Sequence, residues 1–293
     1  MSWKPITIAA FFLLSMAVEA QTNTIQNAQA IRTPDKEVVY DTEGYEVIQK
    51  DYELAFNEKG FNKLKKKLKI PKETPVLDSP DFPNVKVIEH SRSSGGVTYQ
   101  FVYFLSVPKW EIMKVISFAT NCGRLPELEK EFYTAITKNT LPKSVYTDFK
   151  VDTVMFAGRA IDLGSSCQWM NIRNLQCPNY GQMNWSEFTD SVRAKQALEN
   201  QKMENANLVN FQMGKESEVT VIFEGQEVKA MKRIMVANPP GALGGSNVVI
   251  VYYVVAKVRG RYVSCTLSHY TDDVGVKQNK LPPLLAEVMQ LKE

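Results

Sequence analysis

Residues 248–258 read VVIVYYVVAKV, eleven positions with a single charge at Lys257. A strand with one wet face alternates apolar and polar residues. This one is apolar at both parities, which predicts a central strand covered on both sides. Upstream, Val219, Val221 and Phe223 alternate, 224–227 turns, and Val228, Ala230, Ile234 and Val236 alternate on the return. Downstream, Arg259-Gly260 turns again, and Val263, Cys265 and Leu267 alternate with Ser264, Thr266 and Ser268. The whole stretch is predicted as a four-strand antiparallel meander. Its break at 238–246 (NPPGALGGS) lacks the terminal Lys of a phosphate-binding loop and leads into a strand, so it is a strand connection. Pro282 and Pro283 then open a closing helix with Leu285, Val288 and Leu291 on one face.

Further upstream, Val97, Tyr99, Phe101, Tyr103 and Leu105 alternate after Ser93-Ser94-Gly95-Gly96, which predicts a hairpin over 85–105. Ile112, Val115, Ile116 and Ala119 form a helical stripe, so 110–120 is predicted helical. A second helix follows Pro126, carried by Leu128, Phe132, Ala135 and Ile136. Residues 149–163 read as extended and 165–180 as a loop. Asn184 with Glu187 three places on resembles a capping box, opening a polar helix over 185–205. The Asn184-Trp185-Ser186 triplet also matches a glycosylation acceptor pattern.

The order predicts an α+β fold: a mainly antiparallel sheet, made of the hairpin and the C-terminal four-strand meander, with helices packed mainly on one side. The strand-turn-strand-helix stretches at 85–120 and 248–291 share no convincing residue identity, and no repeat is read from them. No linker divides 84–293, which is taken as one domain. Residues 21–51 are polar and aperiodic, an N-terminal arm. A basic helix over 56–70 and a proline-rich linker to residue 83 complete that segment.

Residues 1–20 have the layout of a signal peptide. Lys4 precedes the 13-residue uncharged run ITIAAFFLLSMAV, and Val18-Glu19-Ala20 places cleavage between Ala20 and Gln21. Thirteen residues fall short of the about 20 that cross a bilayer, and no later stretch is long enough to span one. The expected mature protein is exported, to a periplasm or the outside. Lys and Arg total 35 against 32 Asp and Glu, a net charge of +3 in 293 residues, so no charge excess points to nucleic acid.

Cys122, Cys167, Cys177 and Cys265 make no C-x-x-C, which argues against a metal or redox centre. In an oxidising compartment they allow three disulfide connectivities. Spacing favours Cys167 with Cys177 around a polar loop, and four buried thiols are the alternative. Only His90 and His269 are present, and no Walker loop, H-E-x-x-H or G-x-S-x-G elbow occurs. No cofactor is expected. The leading expectation is a non-enzymatic binding protein for a partner or small apolar ligand across its sheet face. One rival is a hydrolase of uncommon type built from His269, Asp272 or Asp273, and a serine such as Ser165 or Ser166. The other is a surface-associated component docked through Lys59, Lys63, Lys65, Lys66, Lys67 and Lys69, at roughly 1 kcal/mol per lysine near an anionic membrane.

Overall fold

The computed structural model describes residues 25, 27–109, 112–147, 152–163, 167–238, 247–276 and 280–292. The expected signal peptide, its Ala20/Gln21 cleavage site, Ser165, Ser166 and the 239–246 loop lie outside these residues. Among the described residues, no helix is long and apolar enough to cross a membrane.

Among the described residues the chain is rich in sheet, with four α-helices, and its strands fall into two eight-stranded sheets and one separate hairpin. Sheet one contains β1 (Gln29–Arg32), β2 (Val38–Thr42), β3 (Tyr45–Tyr52), β4 (Leu77–Asp78), β5 (Lys86–Ser94), β6 (Val97–Lys109), β7 (Ile112–Thr120) and β8 (Tyr146–Thr147). Their spatial order is β4-β5-β6-β7-β3-β2-β1-β8. Helix α1 (Glu58–Leu68) follows β3, and α2 (Pro126–Thr137) follows β7. The hairpin of β9 (Thr153–Phe156) and β10 (Arg159–Asp162) turns through Ala157-Gly158, both at positive φ. Sheet two contains β11 (Gln168–Asn171), β12 (Asn174–Cys177), β13 (Gly181–Phe188), β14 (Phe211–Phe223), β15 (Gln226–Ala237), β16 (Val248–Val258), β17 (Arg261–Tyr270) and β18 (Met289–Leu291). Their order is β11-β12-β13-β17-β16-β15-β14-β18. Helix α3 (Ser191–Ala206) follows β13, and α4 (Pro283–Ala286) follows β17.

Both halves run three strands, helix, four strands, helix, strand. Setting β1 to β7 against β11 to β17 in chain order also superposes the sheet orders, since β4-β5-β6-β7-β3-β2-β1 corresponds to β14-β15-β16-β17-β13-β12-β11. The architecture is therefore repeated although the residues are not. The halves differ in the final strand: β8 adds in parallel beside β1, whereas β18 adds antiparallel beside β14.

The meander over β14 to β17 forms as expected, and β16 lies between β15 and β17 with both faces covered. Val251 and Tyr253 pack with Leu198 of α3, while Tyr252, Val254 and Val258 join a core that includes Leu284 and Leu285 of α4. Sheet one repeats this arrangement. Leu64 of α1 packs with Leu105 and Val115, and Phe132 of α2 packs with Phe104 and Phe118 from the opposite strand parity. Helices thus occupy both faces of each sheet, which corrects the expected one-sided placement.

Local expectations also change. The expected closing helix with Leu285, Val288 and Leu291 on one face stops at Ala286, and Met289–Leu291 forms strand β18. Residues 112–120 form strand β7, because helices on both faces bury Met113 and Val115 on one side and Ile116 and Phe118 on the other. Apolar residues at both parities imitate a helical stripe. The polar segment before α1 supplies β1 to β3, with Ala30, Tyr40, Tyr45 and Val47 buried, so 29–52 is sheet and not arm. Asn184 lies inside β13, and α3 starts later, capped by Asp190, whose Oδ1 accepts from Val192 N at 2.9 Å.

Candidate functional site

Helix α3 joins the two halves. Ala194 and Leu198 are buried, Leu198 against sheet two, and on the same stripe Gln201 and Asn205 reach Asn184 and Tyr253 of that sheet. The adjacent stripe points at sheet one. Arg193 donates to the carbonyls of Cys122 at 2.9 Å and Glu43 at 3.0 Å, and Asn200 donates to the Asn121 carbonyl at 2.6 Å. Glu204 accepts from the Tyr99 hydroxyl, and Asn207 donates to the Gly95 carbonyl at 2.8 Å. A helix used on two sides, one of them polar, cannot show one clean apolar face.

Beside α3, the same face of sheet two carries a groove of about 610 Å³. Strand register sets its floor in two rows. Asn174 lies opposite Asn184, which lies opposite Thr266; Gln176 lies opposite Gln182, which lies opposite Ser268, which lies opposite Val251. The floor therefore passes from carboxamides through hydroxyls to the apolar side chains of Val249, Val251 and Met235. Side-chain bonds order the amides: Gln182 donates to Asn174 Oδ1 at 2.9 Å, Asn184 to Gln201 Oε1 at 3.3 Å, Gln201 to Asn205 Oδ1 at 3.2 Å, and Asn205 to the Tyr253 hydroxyl at 2.9 Å. A carboxamide has two N–H donors and two acceptor lone pairs, so the Gln182–Asn174 pair and the Asn184–Gln201–Asn205 relay, which use each amide at most once in each sense, leave capacity to bind a ligand. Among the described residues no Lys or Arg lines this groove; His269, Asp272 and Asp273 stand at one end. A second cavity of about 390 Å³ shares Asn184, Gln201 and Thr266 with the first and extends to Tyr99, Phe101 and Arg92 of sheet one.

Sequence reasoning did not find this groove. Its signal is the amide at every second position, Asn174 with Gln176 and Gln182 with Asn184, but the first pair falls in the segment expected as loop and Asn184 at the expected helix cap. The Asn184 side chain instead belongs to the groove relay, on a strand paired on both sides.

Of the residues singled out from sequence, His269, Asp272 and Asp273 come together at one end of the groove, and the others are dispersed. Cys167 and Cys177 form a disulfide at the base of the β11–β12 hairpin. Cys122 and Cys265 are buried free thiols in separate clusters, so no second disulfide forms, and burial pushes both thiols up from their ordinary range. His269 alternates with Cys265 and Leu267, and its ring stacks on Tyr252, on the face opposite the amide floor. Its Nδ1 lies 2.9 Å from the Tyr270 carbonyl, which makes Nδ1 the protonated nitrogen, and burial lowers its pKa. Asp273 accepts from Tyr270 N at 2.9 Å. Phe61, Leu64 and Leu68 of α1 are packed on sheet one, and Lys59, Lys63, Lys66, Lys67 and Lys69 are exposed. Lys65 leaves that set, because it is buried and its ammonium donates to the carbonyls of Lys72 at 2.9 Å and Thr74 at 2.7 Å. Among the described residues, no group of His, Cys, Asp and Glu could hold a metal ion.

The chain matches no family model, no curated protein and no solved structure.

Proposed function

We propose that this is an exported, non-catalytic binding protein whose ligand lies in the groove between α3 and the face of sheet two. The observation that carries this reading is the ordered amide relay along an open concavity of about 610 Å³. Binding sites are concave, largely preformed and furnished with a few oriented polar groups. The lining favours a neutral, hydrogen-bonding ligand over the small apolar one expected from sequence. Export is supported by the Cys167–Cys177 disulfide, which persists in oxidising compartments, together with the leader-like first twenty residues.

The test is native mass spectrometry of the protein recovered from its own compartment, beside an Asn184→Trp variant that fills the groove. The expected result is a bound mass on the parent that is lost from a folded variant. A bound mass retained by the variant, or a bare parent chain that a serine-directed fluorophosphonate labels, would overturn the reading and favour the hydrolase.

A further inference from the structure

Resting on that reading, we infer that the groove accepts a neutral oligosaccharide. Charge narrows the ligand first. Among the described residues no Lys or Arg lines the first groove, where His269 stands with two aspartates at one end, and Arg92 of the second cavity is outnumbered by Asp41, Glu46 and Glu204, so a phosphate, uronate or other anionic ligand would meet no net compensating charge. The floor narrows it further. A ligand with hydroxyls along one side and C–H groups along another matches amides on β12 and β13, hydroxyls on β17, and Val251, Val249 and Met235 beyond. Phe211 and Tyr270 add aromatic surface at the groove walls. A sugar hydroxyl both donates and accepts, as a carboxamide does, so each oriented Asn or Gln can serve it in two senses.

An extended peptide is the other neutral, hydrogen-bonding candidate, and the backbone argues against it. Peptides laid on sheets gain affinity from main-chain bonds at an exposed edge. The groove floor is the interior of a sheet, where β13, β17 and β16 are each paired on both sides, leaving side chains as the recognition groups. The shared residues Asn184, Gln201 and Thr266 continue the groove into the second cavity, so the site suits a chain of several sugar units.

Isothermal titration of the mature chain with cellohexaose, maltohexaose, mannohexaose and N-acetylchitohexaose tests this, with hexagalacturonate and a neutral hexapeptide as controls. At least one neutral hexasaccharide should bind in the micromolar to low-millimolar range. Asn184→Ala and Gln201→Ala should each weaken it at least tenfold with the thermal midpoint near the parent's; should either unfold, Thr266→Val provides the same readout. Preference for hexagalacturonate or the hexapeptide, no binding of any neutral hexasaccharide at millimolar concentration, or affinity indifferent to these substitutions would overturn the inference. A non-carbohydrate mass seen in the native spectrum and lost from Asn184→Trp would sink the sugar assignment alone and leave the binding reading standing.

Discussion

The guanidinium Nε of Arg173, at the tip of the β11–β12 hairpin in sheet two, lies 3.1 Å from Oδ1 of Asp41 on β2 of sheet one. Nη1 of Arg173 sits 3.2 Å from Glu187, and Nη2 donates to the Asn27 carbonyl at 2.9 Å. Arg173 is 1% exposed, so the halves meet around a charge removed from water. The disulfide closes the base of the hairpin that delivers it. Removing the cation leaves Asp41 and Glu187 buried together, and breaking such a set by one partner typically costs about 3–5 kcal/mol. Arg173→Leu should lower the urea midpoint accordingly; a change under about 1 kcal/mol would show that the cluster is hydrated.

Asp41 carries a pH signature. Burial, partly opposed by Arg173, raises its carboxyl from 3.8 to about 6. A raised folded value means that the folded chain holds the proton more tightly than the unfolded one. The stabilisation is complete below about pH 4 and lost as pH rises through about 6. Asp41→Asn, which mimics the protonated form, should match the parent near pH 4 and exceed it by on the order of 1–3 kcal/mol at pH 7.5. Urea midpoints across that range measure it, and a pH-independent difference between the two proteins would refute the assignment.

Val254, fully buried on β16 in the core that also holds Trp185 and Cys265, should not accept a charge. Val254→Asp places an unpaired carboxylate in the core and is expected to abolish recovery of soluble protein, beyond the usual 0.5–3 kcal/mol of a point change. Lys257, exposed on the same strand, should become Glu with an effect of about 0.5 kcal/mol or less. Equal recovery of both variants would contradict the two-sided burial of β16.

Among the α1 lysines, only Lys65 is expected to matter for folding. Lys65→Ala leaves the Lys72 and Thr74 carbonyls without their charged donor, a loss of about 1.5–3 kcal/mol. Lys63→Ala and Lys66→Ala should be neutral in the same melt. Indistinguishable midpoints for all three would remove the structural role of Lys65.

Thiol labelling separates the cysteines. Cys122 and Cys265 are buried with raised thiol pKa values, so iodoacetamide should modify neither in the folded chain and both after denaturation. Cys167 and Cys177 should label only after reduction as well. Rapid native labelling of Cys265 would place it at a surface.

What the sequence reveals follows from how each segment is covered. The meander is legible because its strands alternate or, at β16, are apolar throughout, and Glu224-Gly225 and Arg259-Gly260 supply positive-φ turns. Strand β7 is misread because its two covered faces place Ile112, Val115 and Ile116 at helical spacing as well. Strands β1 to β3 are missed because the junction buries polar residues with distant partners: Asp41 with Arg173, and Glu43 with Thr189 and Arg261. Such pairs look like solvated chain until the other half is in place. The groove stays hidden for the same reason, since Asn184 and Gln201 become neighbours only when α3 folds back over β13.

The lengths of the outermost strands bear on how copies of the chain can meet. Sheet one ends in two-residue β4 and β8, and sheet two in four-residue β11 and three-residue β18. Beside β11 the register with β12 shifts between Trp169 and Asn171, and the disulfide ties that margin down. A neighbouring molecule docking on β8 or β11 would find only a few backbone groups to extend the ladder, but among the described residues β4 covers only Lys86 and Val87 of β5, and β18 only three residues of β14, and longer margins recruit further chains. Eleven-residue β16, whose composition would template fibril growth if uncovered, is paired on both sides over 249–253, whereas thirteen-residue β14 meets β18 on its outer side only at Val221, Ile222 and Phe223. Self-association of the folded chain through backbone pairing is thereby directed to the outer sides of β5 and β14, away from the short margins at β8 and β11.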